Sequence, residues 1–255
     1  MIAATRDGGD SWRVVFQGGR IAIDIATLVP GIAWVRIGRN RFLRTIDGGR
    51  NWTSLGRAAV RDMSFVSVRD GWAAPAKSEI SERLLRTTDG GRTWRATPEP
   101  CGPITHFYGP TGWGRTTVDY LRDVWFVSEE RGWVLCSGDG AAGSAPVAVF
   151  ETHDGGVTWT KLEAEWEGQP GGLQFLPDGR GWRWPFDTGS VVRSPDGGTT
   201  WHRADAFGSG GFEISVWFAS AEIGYAVGDG IVYQSKDGGR MWTPVENPPT
   251  AAPSD

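Results

Sequence analysis

The chain has 255 residues, a formal net charge of −4 and a sequence pI near 5.5; this argues against a nucleic-acid or anionic-membrane partner, which would select a basic surface. No apolar run of about 18 residues is available to span a membrane, and His106, His153, His202, Cys101 and Cys136 form no zinc-ligand spacing, so neither a metal nor a cofactor is expected. The unusual features are 38 Gly and 15 Trp, which imply many turns and one packing position filled repeatedly by the same residue, hence an internal repeat.

Taken in chain order, Met1–Trp12 carry neither the basic region nor the apolar region of a signal peptide, so none is expected in the chain as given. A box of the form S/T-x-D-G-G-x-x-W follows at Thr5 and recurs at Thr45, Thr87, Thr152, Ser194 and Ser235. Its aspartates are Asp7, Asp47, Asp89, Asp154, Asp196 and Asp237, at spacings of 40, 42, 65, 42 and 41 residues. Its tryptophans are Trp12, Trp52, Trp94, Trp159, Trp201 and Trp242. Between boxes runs a second pattern, an apolar residue followed six positions on by Gly and a large side chain. It reads Phe65 to Gly71-Trp72, Phe126 to Gly132-Trp133, Phe175 to Gly181-Trp182 and Phe218 to Gly224-Tyr225, with Ile25 to Gly31-Ile32 as a degenerate copy.

Together the two patterns predict a blade of four short strands. In the unit ending at the Thr152 box these are Asp123–Ser128, Gly132–Cys136, Val147–Thr152 and Thr158–Leu162. Each run is rich in β-branched and aromatic residues and bounded by Gly, Asp or Ser, and no stretch has the 3.6-residue period of a buried helix. A unit of about 41 residues with four strands is the mark of a β-propeller. In the box, the glycines permit positive φ, the Asp carboxylate accepts loop N–H groups, and the Trp packs between sheets.

The chain is therefore expected to be an all-β, six-bladed propeller of four-stranded antiparallel blades, a single domain over residues 1–247, with a disordered Pro-rich tail at 248–255. The first box is preceded by too few residues for two inner strands, so the first blade is incomplete. Either the ring closes with one partial blade, or its missing strands lie upstream of Met1.

At these residues the chain resembles the Asp-box, or BNR, repeats, and the two patterns together resemble the photosystem II stability/assembly factor-like propellers, from Thr5 to Trp242. The resemblance implies a propeller and a non-enzymatic binding or assembly role. It also implies boxes on the face opposite the ligand, and suggests export. Asp-box propellers include sialidases and xyloglucanases, so a glycan-active propeller is the alternative, whether glycoside hydrolase or glycan-binding module. Fold alone does not decide between them.

Candidate site residues follow from placement. The box aspartates are distributed around a ring and cannot converge on one substrate, so their role is structural. The sialidase-type F/Y-R-I-P tetrapeptide is absent, the nearest text being Phe42-Leu43-Arg44-Thr45, and Tyr225 and Tyr233 fall at packing positions. Asp62, Asp123 and Glu213 fall near the starts of inner strands and are candidates for a carboxylate pair, although Arg61-Asp62 and Arg122-Asp123 recur as neighbours that can pair with each other. The long spacing arises from an insertion, Thr97–Tyr120, and a Gly/Ala/Ser loop, Ser137–Pro146. The insertion is either a plug over the ring or a binding element. Its Tyr108, Trp113 and Arg115, with Arg61 and Arg122 at the channel mouth, are the candidate contacts for a protein or glycan partner. Cys101 in the insertion and Cys136 on a strand of the same unit are read as a disulfide, which would place the protein in an exported compartment.

Overall fold

The computed structural model describes residues 2–6, 11–17, 22–38, 40–76, 83–107, 113–139, 145–168, 170–185, 190–206, 215–228 and 231–245. Among them there is no helix. Five antiparallel four-stranded sheets follow one another along the chain. Blade one is β3 (Ala22–Val29), β4 (Ile32–Ile37), β5 (Arg41–Thr45) and β6 (Thr53–Arg57). Blade two is β7 (Val60–Phe65), β8 (Gly71–Pro75), β9 (Leu85–Thr87) and β10 (Arg95–Ala96). Blade three is β13 (Tyr120–Phe126), β14 (Gly132–Ser137), β15 (Ala145–Thr152) and β16 (Thr160–Gly168). Blade four is β17 (Gly172–Phe175), β18 (Gly181–Trp184), β19 (Ser190–Ser194) and β20 (His202–Ala206), and blade five is β21 (Ser215–Phe218), β22 (Gly224–Gly228), β23 (Ile231–Ser235) and β24 (Thr243–Pro244). The first strands of successive blades pack on one another, β3 on β7, β7 on β13, β13 on β17 and β17 on β21, and so form the inner wall of a propeller.

The blade count corrects the expected six. Among the described residues the unit of the Thr5 box contributes β1 (Ile2–Ala4) and β2 (Arg13–Phe16), a two-stranded sheet, and none of the inner strands of a blade. The pair still takes a blade's place: Phe16 meets Trp52 edge-on with ring centroids 5.7 Å apart, and Trp52 Nε1 donates to Val15 O at 3.0 Å. A second small sheet, β11 (Pro103–Phe107) with β12 (Trp113–Thr117), is the inserted segment folded into a hairpin.

The core lies between blades, and the two sequence patterns are its parts. The second-strand tryptophan of each blade stacks on the first-strand phenylalanine of the next: Trp34 on Phe65, Trp72 on Phe126, Trp133 on Phe175 and Trp182 on Phe218, with centroids 3.7, 3.8, 4.1 and 3.9 Å apart. The same tryptophans donate Nε1 to the first box glycine carbonyl of the following blade, at Gly90, Gly155, Gly197 and Gly238, over 2.9–3.1 Å. The box tryptophan then meets the phenylalanine of its own blade edge-on, as Trp159 does Phe126. Each such stack adds about 0.5–1.5 kcal/mol to the burial of the rings. The glycine of the Gly-Trp pair is required for space: a Cβ on Gly71, Gly132, Gly181 or Gly224 would lie 2.3–2.5 Å from the phenylalanine ring.

The register also corrects the degenerate copy. Thr45 of the box pairs with Ala33, as Thr87 pairs with Gly71, so Trp34 is the equivalent of Trp72. Thr27, opposite Ala33, stands where later blades carry phenylalanine, so the copy at Ile25 and Gly31-Ile32 is two residues out of register.

Candidate functional site

The turns of the propeller face that carries the boxes are closed by their own hydrogen bonds. In the turn after β15, Thr152 Oγ1 donates to Asp154 Oδ1 at 2.8 Å and accepts the Gly156 amide at 3.0 Å, while Asp154 Oδ1 accepts the amides of Val157 and Thr158 at 3.0 and 2.9 Å. The Thr45, Thr87, Ser194 and Ser235 boxes repeat the hydroxyl–aspartate–amide arrangement. The paired glycines have φ of 74–77° and 78–94°, the left-handed region that excludes most side chains. The first box glycine also donates to the turn between the first two strands of its blade, as Gly155 N does to Glu130 O at 2.8 Å, so both turns on this face are tied together. Amide donation from Asn51 holds Asp47 down to about 2, and the Thr158 hydroxyl and amide do the same for Asp154. Asp7 lies outside the described residues. A groove of about 480 Å³ remains on this face between blades four and five, lined by Arg180, Arg193, His202, Glu222, Asp237 and Arg240.

The opposite face is built differently. Cys101 and Cys136 form a disulfide, S–S 2.06 Å with Cα atoms 5.8 Å apart, which pins the base of the inserted hairpin to β14. Val118, just beyond β12, is fully buried in the junction between blades two and three, and its amide donates to Gly102 O at 3.2 Å. Trp113 pairs with Phe107 and Arg115 with Thr105 across the hairpin backbone; their side chains, and all of Tyr108, lie outside the described residues. The hairpin is thus mounted on the blades at a stapled base.

Beside it lies the inner mouth. Asp24, Asp62 and Asp123 each stand three residues before the platform position, Thr27, Phe65 and Phe126, where the inner strand bulges. Asp62 there takes a φ of 48°, a left-handed conformation that Asp adopts more readily than most residues. Asp123 accepts the Val124 amide on Oδ1 and the Leu173 amide of the next blade on Oδ2, both at 2.8 Å. Asp24 faces the backbone of Ile25 and of Asp62 in the next blade, and its Oδ2 is buried with no hydrogen-bond partner among the described residues. Arg61 pairs with Asp62 and donates to the carbonyls of Pro75, Leu121 and Arg122, binding blade two to blade three. Arg122 donates to Ser137 Oγ at 2.6 Å and lies 5.0 Å over the Tyr120 ring. Arg61 and Arg122 therefore stand at the mouth, with part of their donor capacity used in holding it together.

Burial, reinforced by the Asp62 charge and opposed by Arg36, raises Asp24 to about 6. Burial also raises Asp62, against the pull of Arg61 and Arg36, and places Asp123 well above the usual carboxylate range, with Asp62 adding to the effect. The cluster thus favours holding a proton, and a protonated carboxyl there donates as well as accepts. Among the described residues no group of His, Cys, Asp or Glu is arranged to hold a metal. Glu213 lies outside them. Asp24 was missed in the sequence because the blade-one copy was read two residues out of register; in the corrected register it aligns with Asp62 and Asp123.

Fold and site together define an all-β propeller with hydrogen-bonded turns on one face and a stapled hairpin beside a carboxyl-lined mouth on the other. No family model matches the sequence, and no curated protein does. Among solved structures the chain is similar to YCF48 from Cyanidioschyzon merolae, at 18% identity and a TM-score of 0.52 over 89% of this chain and 85% of that one. It is also similar to YCF48 bound to D1 peptide, at 18% identity and a TM-score of 0.46 over 90% and 82%. An ancestral GH74 enzyme matches at 12% identity and a TM-score of 0.54, over 89% of this chain and only 31% of its own length. The likenesses to YCF48 from Cyanidioschyzon merolae and to the ancestral GH74 enzyme support the propeller fold.

Proposed function

We propose that the protein is a non-enzymatic binding or assembly scaffold that receives a protein partner on the face opposite the boxes. One contrast carries this reading. The box carboxylates are filled by their own turns, whereas the mouth face holds a disulfide-mounted hairpin next to carboxyls whose protonation a partner can alter. Tyr108, Trp113 and Arg115 of the hairpin, with Arg61 and Arg122, form the contact set. The disulfide fits an oxidising, exported location, and no helix is long and apolar enough to cross a membrane among the described residues.

The alternative, a glycan-active propeller, draws on Asp123, whose raised pKa is a property of a general acid. Both Asp123 oxygens, however, are engaged by backbone amides, which favours a structural tie over proton transfer to a substrate.

The test is an immobilised peptide library and a glycan array, probed with the wild type and with the triple variant Tyr108→Ala, Trp113→Ala, Arg115→Ala. The wild type is expected to retain peptides, and the variant to lose them at an unchanged melting temperature. Unchanged binding with a collapsed melting temperature would make the hairpin a plug, and glycan retention or cleavage would favour the alternative.

A further inference from the structure

On the box face the blades balance their own charges, and blade four does not. The side chain just before the box hydroxyl, opposite the second-strand aromatic in the ladder, is Arg44, Arg86, Glu151, Arg193 or Gln234. All but Arg193 have partners. Arg44 Nη1 donates to Val68 O of the next blade at 3.2 Å. Arg86, although its Nε is buried without a partner, lies 5.1 Å over the Trp72 ring with Nη2 4.0 Å from Asp70. Glu151 accepts Arg131 Nε at 2.9 Å, and Gln234 donates to the Tyr225 hydroxyl at 2.9 Å. The Arg193 side chain has no hydrogen bond or ion pair among the described residues, and its Nε is buried.

The cause is an inverted charge. The residue before the Gly-Trp pair is Asp70 in blade two and Arg131 in blade three, opposite in sign to Arg86 and Glu151. In blade four it is Arg180, which has the same sign as Arg193. Arg180 turns instead to Asp178 at 2.6 Å and to Glu222 of blade five at 3.8 Å. Blade five brings a further guanidinium, Arg240, which is exposed and whose side chain is unpartnered among the described residues. Burial, and then the charge of Arg240, lower the pKa of Arg193 against the pull of Asp237.

These arginines line the groove of about 480 Å³ between blades four and five, together with His202. The carboxylates in its wall are already engaged. Asp237 accepts the Ser235 hydroxyl and the Arg240 and Met241 amides, and Glu222 accepts the Ser220 hydroxyl and faces Arg180. The donors left over are those of Arg193 and Arg240.

We propose that this groove binds a phosphate group between Arg193 and Arg240, as the free ion or on a small molecule seated in the rest of the groove. Guanidiniums from two blades call for an acceptor with oxygens facing both. A tetrahedral phosphate presents them in more directions than a planar carboxylate does. The volume lies within the roughly 300–1,000 Å³ of small-molecule sites. The groove is on the face opposite the hairpin, so its test and that of the proposed function fail independently.

The full chain is titrated calorimetrically, at constant ionic strength, with ribose 5-phosphate, inorganic phosphate, ribose and acetate. Both phosphates are expected to bind, and ribose and acetate are not. Arg193→Gln and Arg240→Gln should each weaken phosphate binding at least tenfold. Arg92→Gln, at the same box position in blade two, should leave it unchanged. Tighter binding of ribose 5-phosphate than of inorganic phosphate assigns the groove to a phosphorylated small molecule, and equal affinity assigns it to the free ion. Thermal melting checks the fold of each variant; Arg240 is exposed, so Arg240→Gln carries the test even if Arg193→Gln fails to fold. The proposal is overturned if neither phosphate binds at millimolar concentration, if acetate binds as well as phosphate, or if Arg240→Gln leaves the affinity unaltered.

Discussion

The two faces of this propeller use aspartate in opposite ways. On the box face Asp47, Asp89 and Asp154 sit in turns that aim amides and hydroxyls at them, and each is held down to about 2. At the mouth Asp24, Asp62 and Asp123 are enclosed by neighbouring blades, and each is pushed up. The residue type is the same; local donors govern one set and desolvation the other. A carboxylate saturated by its own turn is a fastener. A carboxyl kept from ionising in a recess bears a cost to stability of the kind that binding sites carry.

The mouth depends on its staple, and removing it should give the largest effect. Cys101→Ala with Cys136→Ala opens a loop closed over a sequence separation of 35 residues. It should lower stability by about 2–4 kcal/mol in urea unfolding and weaken partner binding. Equal binding with the staple removed would mean the hairpin positions nothing.

The box face should respond next, in stability alone. Asp154→Ala should cost about 1–2 kcal/mol, because several turn donors lose their acceptor and only part of that loss is recovered from water. The sign of the pH dependence follows from the lowered pKa. The box contribution is present above the unfolded value near 3.8 and is lost as pH falls through about 2. Melting temperature should therefore fall between about pH 4 and pH 2 in the wild type, and less steeply in Asp154→Ala, while partner affinity at neutral pH stays the same.

The smallest effect should have the opposite sign. Asp24 holds its proton more tightly in the folded chain, so its contribution is present below about pH 4 and is lost as pH rises through about 6. Asp24→Asn keeps the size of the side chain and removes the buried charge. It should stabilise the protein at pH 7 by on the order of 1 kcal/mol, allowing for its partly open position, and do nothing at pH 3.5. A destabilised Asp24→Asn at pH 7 would mean that the charge itself holds blades one and two together.

The blades were legible in the sequence because their parts are local. Asp, Gly-Gly and Trp make a turn within eight residues, and a phenylalanine must lie over a glycine six positions on, so each copy reports itself. What the sequence concealed was cross-blade information. Trp34 was overlooked because Gly31-Ile32 imitates the Gly-Trp pair, and only the pairing of Ala33 with Thr45 sets the register right. Asp24 went with it, since its meaning lies in alignment with Asp62 and Asp123. The blade count was overstated because a box marks the end of a blade whether or not inner strands precede it. The Cys101–Cys136 pair was readable because both residues fall in one repeat unit, where the strand order already brings the insertion beside β14.

The tryptophan contacts between blades are directional. Trp34, Trp72, Trp133 and Trp182 each reach the turn of the following blade, so every box turn from Gly90 to Gly238 is clasped by the blade before it. Such an array resembles a row of latches that all close the same way, with cooperativity passing between neighbours. Loss of the final turn unlatches Trp182 and leaves Trp34 and Trp72 engaged. Fraying should then begin at blade five and travel back toward blade one, with amide hydrogen exchange fastest in β22 and β23 and slowest in β8 and β14.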